Sequence, residues 1–184
     1  MILDTIWGSR MALLVVDMQR KFSLERDDWN VIRDSAVGKV NALAEMFRSH
    51  GRPVIFIATD GEGHGLYKGD DGDGWLEGLE CLPGDTVVRK NGMSAFRGTD
   101  LGDILKEEGI DCVLIAGMYT EMCVIGTYFS ASERDIFPCL AEGAVIAYGE
   151  GIDDAAERML NVVSVDTVER FLDGKQEYLD PGAC

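Results

Sequence analysis

The chain alternates two hydrophobic rhythms: short unbroken runs of aliphatic residues, and longer stretches with apolar positions three or four apart. Ala12–Val16 (ALLVV) is the first short run, and its continuous apolar character predicts a strand buried on both faces. Ser35–His50 follows with Val37, Val40, Leu43, Ala44 and Phe47 at helical spacing; Asp34 is the expected cap and Gly51 the left-handed stop. Pro53 then introduces a second strand, Val54–Ala58 (VIFIA). From Asp60 to Gly84 glycine and aspartate dominate, with Trp75 and Leu76 isolated among them, so a long loop is expected. Stretches of that length in a compact domain are functional lids or disordered segments. A third strand is expected at Thr86–Arg89 and a helix over Thr99–Glu108, with Thr99 as cap and Gly109 as stop. Cys112–Gly117 (CVLIAG) reads as the most deeply buried strand. A helix over Glu121–Arg134, a strand over Phe137–Ala141 and a helix over Asp153–Asn161 follow. A short strand at Val162–Val165 and a last helical turn or two at Val168–Leu172 complete the pattern.

Such alternation implies an α/β protein: a three-layer, Rossmann-like fold with a mostly parallel sheet of about six strands and helices on both faces. No internal repeat or linker interrupts it, so residues 1–184 read as one domain, with 60–84 as an active-site lid loop. Ligands in these folds sit beyond the carboxyl ends of the strands. Asp17 falls just past the first strand, Lys90 past the third, and the turn Gly117–Cys123 past the fourth. The three lie far apart in sequence, yet the topology brings them to one rim.

Composition narrows the classes of partner. A formal net charge of −16 repels nucleic acid and anionic membrane surfaces, and no basic run offers a local exception. The longest apolar runs fall far short of the ~20 residues that a membrane span needs. Asp4 precedes any apolar run and no basic stretch accompanies it, unlike a secretory leader. Five cysteines at irregular spacings argue against a disulfide framework and for a reducing compartment, the cytoplasm. The expected partner is a small molecule, since the site sits at a sheet rim closed by a loop.

Among the candidate residues, a carboxylate at Asp17 suits a general base. An ammonium at Lys90 would lower the pKa of a neighbouring thiol and steady developing negative charge. Cys123, one turn into the helix after Gly117, is the candidate nucleophile, because a helix N-terminus favours a thiolate and offers N–H groups for an oxyanion. Cys112 and Cys139 fall inside strands, Cys81 in the long loop and Cys184 at the tail, so a structural role is expected for them.

Three stretches, LLVVDMQ (Leu13–Gln19), VVRKNGMSAFRGTDL (Val87–Leu101) and GMYTEMCVIGTYFSASERD (Gly117–Asp135), closely resemble the isochorismatase-like hydrolases, a family that includes nicotinamidases and N-carbamoylsarcosine amidase. The resemblance implies a catalytic triad of Asp17, Lys90 and Cys123, a cis peptide at Met118–Tyr119, and an oxyanion hole made by the N–H groups of Tyr119 and Cys123. Phe22, Trp75 and Tyr119 become expected substrate walls. Cysteine-dependent cleavage of a C–N bond in a small amide, carbamoyl or ureido compound is implied, as is a homo-oligomer, dimer or tetramer. Nicotinamidases carry an Asp-x-His pair after the second strand and a further His. Here that region reads Thr59–Asp60–Gly61–Glu62–Gly63–His64, and His50 is the other histidine, so no metal, no cofactor and not nicotinamide are expected. Two alternatives stay open: vinyl-ether hydrolysis, for which Tyr119 and Arg134–Pro138 look apt, and a catalytically silent oligomer.

Overall fold

The computed structural model describes residues 8–60 and 74–174. It contains a six-stranded sheet in the order β3-β2-β1-β4-β5-β6, with every neighbouring pair parallel. The strands are β1 (Met11–Val16), β2 (Val54–Thr59), β3 (Thr86–Lys90), β4 (Cys112–Met118), β5 (Phe137–Ile146) and β6 (Val162–Val163). Five helices connect or follow them: α1 (Trp29–Ser49), α2 (Leu101–Glu107), α3 (Ile125–Ser132), α4 (Ile152–Met159) and α5 (Val165–Leu172). No described helix is long and apolar enough to cross a membrane.

The pleat of β1 explains the layers. Met11, Leu13 and Val15 join one apolar cluster with Val40, Phe47, Val168 and Phe171 from α1 and α5. Ala12, Leu14 and Val16 join another with Leu105, Tyr128 and Ala156 from α2, α3 and α4. Consecutive residues of a strand face opposite sides, so a run without polar residues must be covered on both. All six residues of β1 are accordingly buried.

The structure departs from the sequence reading at several boundaries. α1 starts at Trp29 rather than Ser35, because buried Trp29 and partly buried Ile32 extend the apolar stripe by more than a turn. Asp34 therefore lies within the helix, ion-paired to Arg33 at 2.8 Å, and caps nothing. Gly51 and Gly109 take the left-handed stops expected of them. Thr99 lies outside α2, its Oγ1 accepting from the Leu101 N–H at 3.4 Å. β5 continues past Ala141 through Glu142 and Gly143 to Ile146; the polar interruption coincides with a register irregularity against β4 and does not end the strand. The helix expected from Glu121 is split into one wide π-type turn, Thr120–Val124, followed by α3.

One position governs how closely β4 can approach β1. Gly117 pairs with Val16 and has φ +115°, and a Cβ there would lie 2.0 Å from the Val16 carbonyl oxygen. Gly117→Ala should therefore destabilise the protein by about 3 kcal/mol or more, through steric clash and a backbone conformation closed to alanine. Gly38, exposed in α1 with open space around it, is the contrasting site. Gly38→Ala should raise stability by about 0.5–1 kcal/mol. Urea unfolding measures both, and an unchanged midpoint for Gly117→Ala would refute the close-approach argument.

Candidate active site

Four neighbouring strand ends converge at one point, each bringing one polar side chain. Asp17 follows β1 with φ +52°, a left-handed conformation rare for a residue other than glycine. Its N–H donates to the Ile57 carbonyl at 2.9 Å and its own carbonyl accepts from Gln19 at 2.7 Å, so the chain is turned sharply as it leaves the strand. Lys90, the last residue of β3, places Nζ 2.7 Å from Asp17 Oδ2. Both side chains are almost wholly withdrawn from solvent. Burying two ions is costly unless their remaining hydrogen-bonding capacity is met.

Neighbouring groups meet most of that capacity, and Asp17 Oδ2 has the Lys90 ammonium as its counter-ion but no hydrogen-bond partner among the described residues. Thr59, the last residue of β2 and the spacer between β1 and β3, donates its hydroxyl to Asp17 Oδ1 at 2.8 Å and accepts from Lys90 Nζ at 2.8 Å. The Gly92 carbonyl accepts from Lys90 at 2.8 Å, and Cys123 Sγ lies 3.3 Å from the same nitrogen. Thr59 is itself clamped. Gln19 Oε1 accepts from the Thr59 N–H at 2.9 Å, its Nε2 donates to the Thr59 carbonyl at 3.3 Å, and Lys21 Nζ donates to that carbonyl at 2.5 Å. A glutamine side chain thus extends the β1–β2 ladder past the end of β1 by imitating a peptide group.

The fourth contribution comes from the turn after β4. The Met118–Tyr119 peptide is cis. Tyr119 is buried, its hydroxyl donates to the Phe22 carbonyl, and its ring meets Phe22 and Tyr148 edge-on at centroid distances of 6.5 and 5.6 Å. The Tyr119 carbonyl accepts from Met122 and Val124 at 3.0 and 3.2 Å, which shapes the wide turn that carries half-buried Cys123. The next two residues are anchored elsewhere. Thr120 Oγ1 donates to Asp153 Oδ1 at 2.7 Å, and Glu121 accepts from the Tyr148 and Gly149 N–H groups at 3.1 and 2.7 Å.

The thiol is not poised as a thiolate, contrary to the sequence expectation. Burial pushes the Cys123 pKa up, the Asp17 charge pushes it further, and Lys90 only partly opposes them, leaving it at about 12. At neutral pH the sulfur keeps its proton, directly beside a carboxylate able to receive it.

Of the other residues singled out in the sequence, Phe22 is buried against Tyr119, and Trp75 forms an isolated bridge with Gln19 and rests on Phe56 at 5.2 Å. Trp75 is thus tied to the end of β1, although most of the loop before it, His64 included, lies outside the described residues. His50 ends α1, hydrogen-bonded to the Met46 carbonyl and to Asp173. Among the described residues no group of three or more His, Cys, Asp or Glu is placed to hold a metal. Thr59, Gln19, Lys21, Glu121 and Asp153 escaped the sequence reading. Gln19 offered a signal, as the last residue of the LLVVDMQ stretch just past a strand end.

Comparisons with known proteins cover the same stretch of chain. The model of the isochorismatase domain matches residues 11–169, from the start of β1 into α5. The phenazine biosynthesis protein PhzD of Pseudomonas fluorescens is 30% identical over 177 residues, covering 86% of this chain and 84% of that protein. Streptothricin hydrolase of Streptomyces noursei is 33% identical over 127 residues, or 67% of this chain and 49% of that protein. The solved structure of N-carbamoylsarcosine amidase from Thermoplasma acidophilum has a TM-score of 0.70 at 28% identity, covering 84% of this chain and 95% of the other. With a matched span that takes in all six strands whole, reaches into the last helix and includes every side chain of the converging cluster, the chain belongs to the isochorismatase family of hydrolases.

Proposed function

We propose that this hydrolase is a cysteine-dependent amidohydrolase that cleaves a C–N bond in a small amide, carbamoyl or ureido substrate. The observation that carries the reading is the contact set around one nitrogen: Lys90 Nζ lies 2.7 Å from the Asp17 carboxylate and 3.3 Å from Cys123 Sγ. As the sulfur attacks the carbonyl carbon, Asp17 takes its proton and the carbonyl π electrons move to oxygen. The N–H groups of Tyr119 and Cys123 receive that oxyanion. Collapse of the tetrahedral intermediate breaks the C–N bond, and the departing nitrogen takes the proton from Asp17, leaving as ammonia or an amine. Water then attacks the thioester, giving its proton to Asp17, and the second collapse returns the proton to sulfur and frees the acid product.

A protonated resting thiol suits this sequence, because the proton is transferred only when a carbonyl is in place. Two similar proteins, by their names an amidase and a hydrolase, point the same way. Phe22, Tyr119 and Trp75, gathered at the ends of β1 and β4, are proposed as substrate walls. Residues 60–84 are proposed as the lid. Cys81, Cys112, Cys123 and Cys139 are all unpaired, which agrees with a reducing, cytoplasmic setting. The working form is proposed to be a homo-oligomer.

An ammonia-release screen over small amides, carbamoyl compounds and ureido acids, run beside Cys123→Ala, tests the assignment. Cys123→Ala should lose about 1,000-fold or more in rate. Full ammonia release in that variant would remove the sulfur from the mechanism, whereas vinyl-ether hydrolysis would give no ammonia and show as cleavage of an enol-ether substrate that survives Cys123→Ala.

Titration separates the roles of Asp17 and Lys90. A carboxylate beside the sulfur opposes the thiolate, so Asp17→Asn should lower the Cys123 pKa below its present value of about 12. The same variant lacks a base and should lose about 1,000-fold in turnover. Thiolate absorbance near 240 nm, followed against pH, measures the first effect and the ammonia assay the second. A variant with more thiolate and undiminished turnover would remove Asp17 from the mechanism.

A further inference from the structure

We propose that Glu121 and Asp153 are positioning residues that clamp the nucleophile turn to the segment following β5 and so fix the oxyanion site. The inference rests on the acyl-transfer reading above and names residues that the triad does not include. An oxyanion site built from backbone N–H groups works only if those groups are already aimed, and misplacement by ~1 Å can cost about 100-fold. The turn Thr120–Val124 is closed by a few backbone bonds, from the Met122 and Val124 N–H groups to the Tyr119 carbonyl and from the Ile125 N–H to those of Thr120 and Met122, and these set its winding but not its place against the rest of the sheet.

External anchors do the rest, one at each of three consecutive residues. Tyr119 is held from one side through its hydroxyl on the Phe22 carbonyl. Thr120 and Glu121 are held from the other, where β5 gives way to α4. Asp153 bridges Thr120 Oγ1, at 2.7 Å from Oδ1, to the Ala147 N–H, at 3.2 Å from Oδ2. Glu121 receives two successive backbone N–H groups of the same segment, Tyr148 and Gly149, one on each oxygen. The fit is close, because a Cβ at Gly149 would stand 3.2 Å from Ile152 Cγ1 and 3.5 Å from Glu121 Oε1. The clamp also sets the Tyr148 ring edge-on against Tyr119 at 5.6 Å.

The donors on each carboxylate make the proposal specific. Both partners of Glu121 are backbone N–H groups, which can only donate, so an amide at this position satisfies one and confronts the other with its own N–H. Asp153 faces one N–H and one hydroxyl, and a hydroxyl can accept as readily as donate. Asp153→Asn can therefore rebuild both contacts, whereas Glu121→Gln cannot.

The full-length variants Glu121→Gln, Asp153→Ala and Asp153→Asn should be compared in three measurements. Glu121→Gln and Asp153→Ala should lower kcat by about 10- to 100-fold with KM within about threefold, and Asp153→Asn should recover most of what Asp153→Ala loses. Alkylation of Cys123 by iodoacetamide should stay within about twofold throughout, because displacement at a saturated carbon develops no oxyanion. Amide hydrogen exchange across residues 119–124 should accelerate in Glu121→Gln and Asp153→Ala, with β1 and β4 unchanged. The proposal is overturned by undiminished kcat in Glu121→Gln, by Asp153→Asn being as impaired as Asp153→Ala, or by alkylation falling in step with hydrolysis. Unchanged exchange in the turn overturns it too. If the unmodified protein hydrolyses none of the screened compounds, the amidohydrolase reading fails separately, and the exchange measurement still decides for or against the clamp.

Discussion

The ion pair between Lys90 and Asp17 sets the terms for everything around it. An ammonium and a carboxylate shut away from water are sustained only by each other and by further polar partners, and removing either partner leaves a charge with nowhere to go. Each partner here is itself constrained. Thr59 must stand between β1 and β3 with its hydroxyl serving both ions, which in turn requires Gln19 and Lys21 to hold its peptide. The sulfur completes the shell around the ammonium, so the group that would react is also part of what makes the burial tolerable. Order within the sheet then follows from chemistry: β3, β2, β1 and β4 lie side by side, and each delivers one member in that sequence.

Much of this was legible in the chain. Unbroken aliphatic runs announced doubly covered strands, helical periodicity announced what covers them, and the rule that ligands gather beyond strand carboxyl ends singled out Asp17, Lys90 and the Gly117–Cys123 turn. What stayed hidden shares a physical character. The start of α1 was missed because Trp29 and Ile32 stand among charged residues, where a stripe is hard to see. The extension of β5 was missed because Glu142 and Gly143 resemble a strand end, although register irregularities tolerate them. Thr59 gives no local sign of its role, since a threonine ending a strand is commonplace and its significance comes from neighbours 42 and 31 residues away. The protonated thiol was misjudged for a related reason: a helix terminus and a lysine are visible in sequence, while burial and the distance to Asp17 are not.

The fold and the chemistry also carry different weights of inference. A parallel sheet of this order hosts many reactions, and membership of the family leaves several open, as the variety of named relatives illustrates. The thiol beside a carboxylate and an ammonium is more restrictive, and it is this arrangement that supports the proposed acyl transfer.

Among the described residues β3 is an edge strand, hydrogen-bonded to β2 alone, and three of its five residues are exposed. Edge ladders are the first part of a sheet to fray. The ammonium that organises the centre is therefore mounted on the least supported strand near it, with its strand joined, among the described residues, to β2. Loosening confined to that margin would draw Lys90 away from Asp17 and Cys123 while the interior stayed packed. Turnover is thus a finer gauge of incipient denaturation in this molecule than any signal that reports on its core.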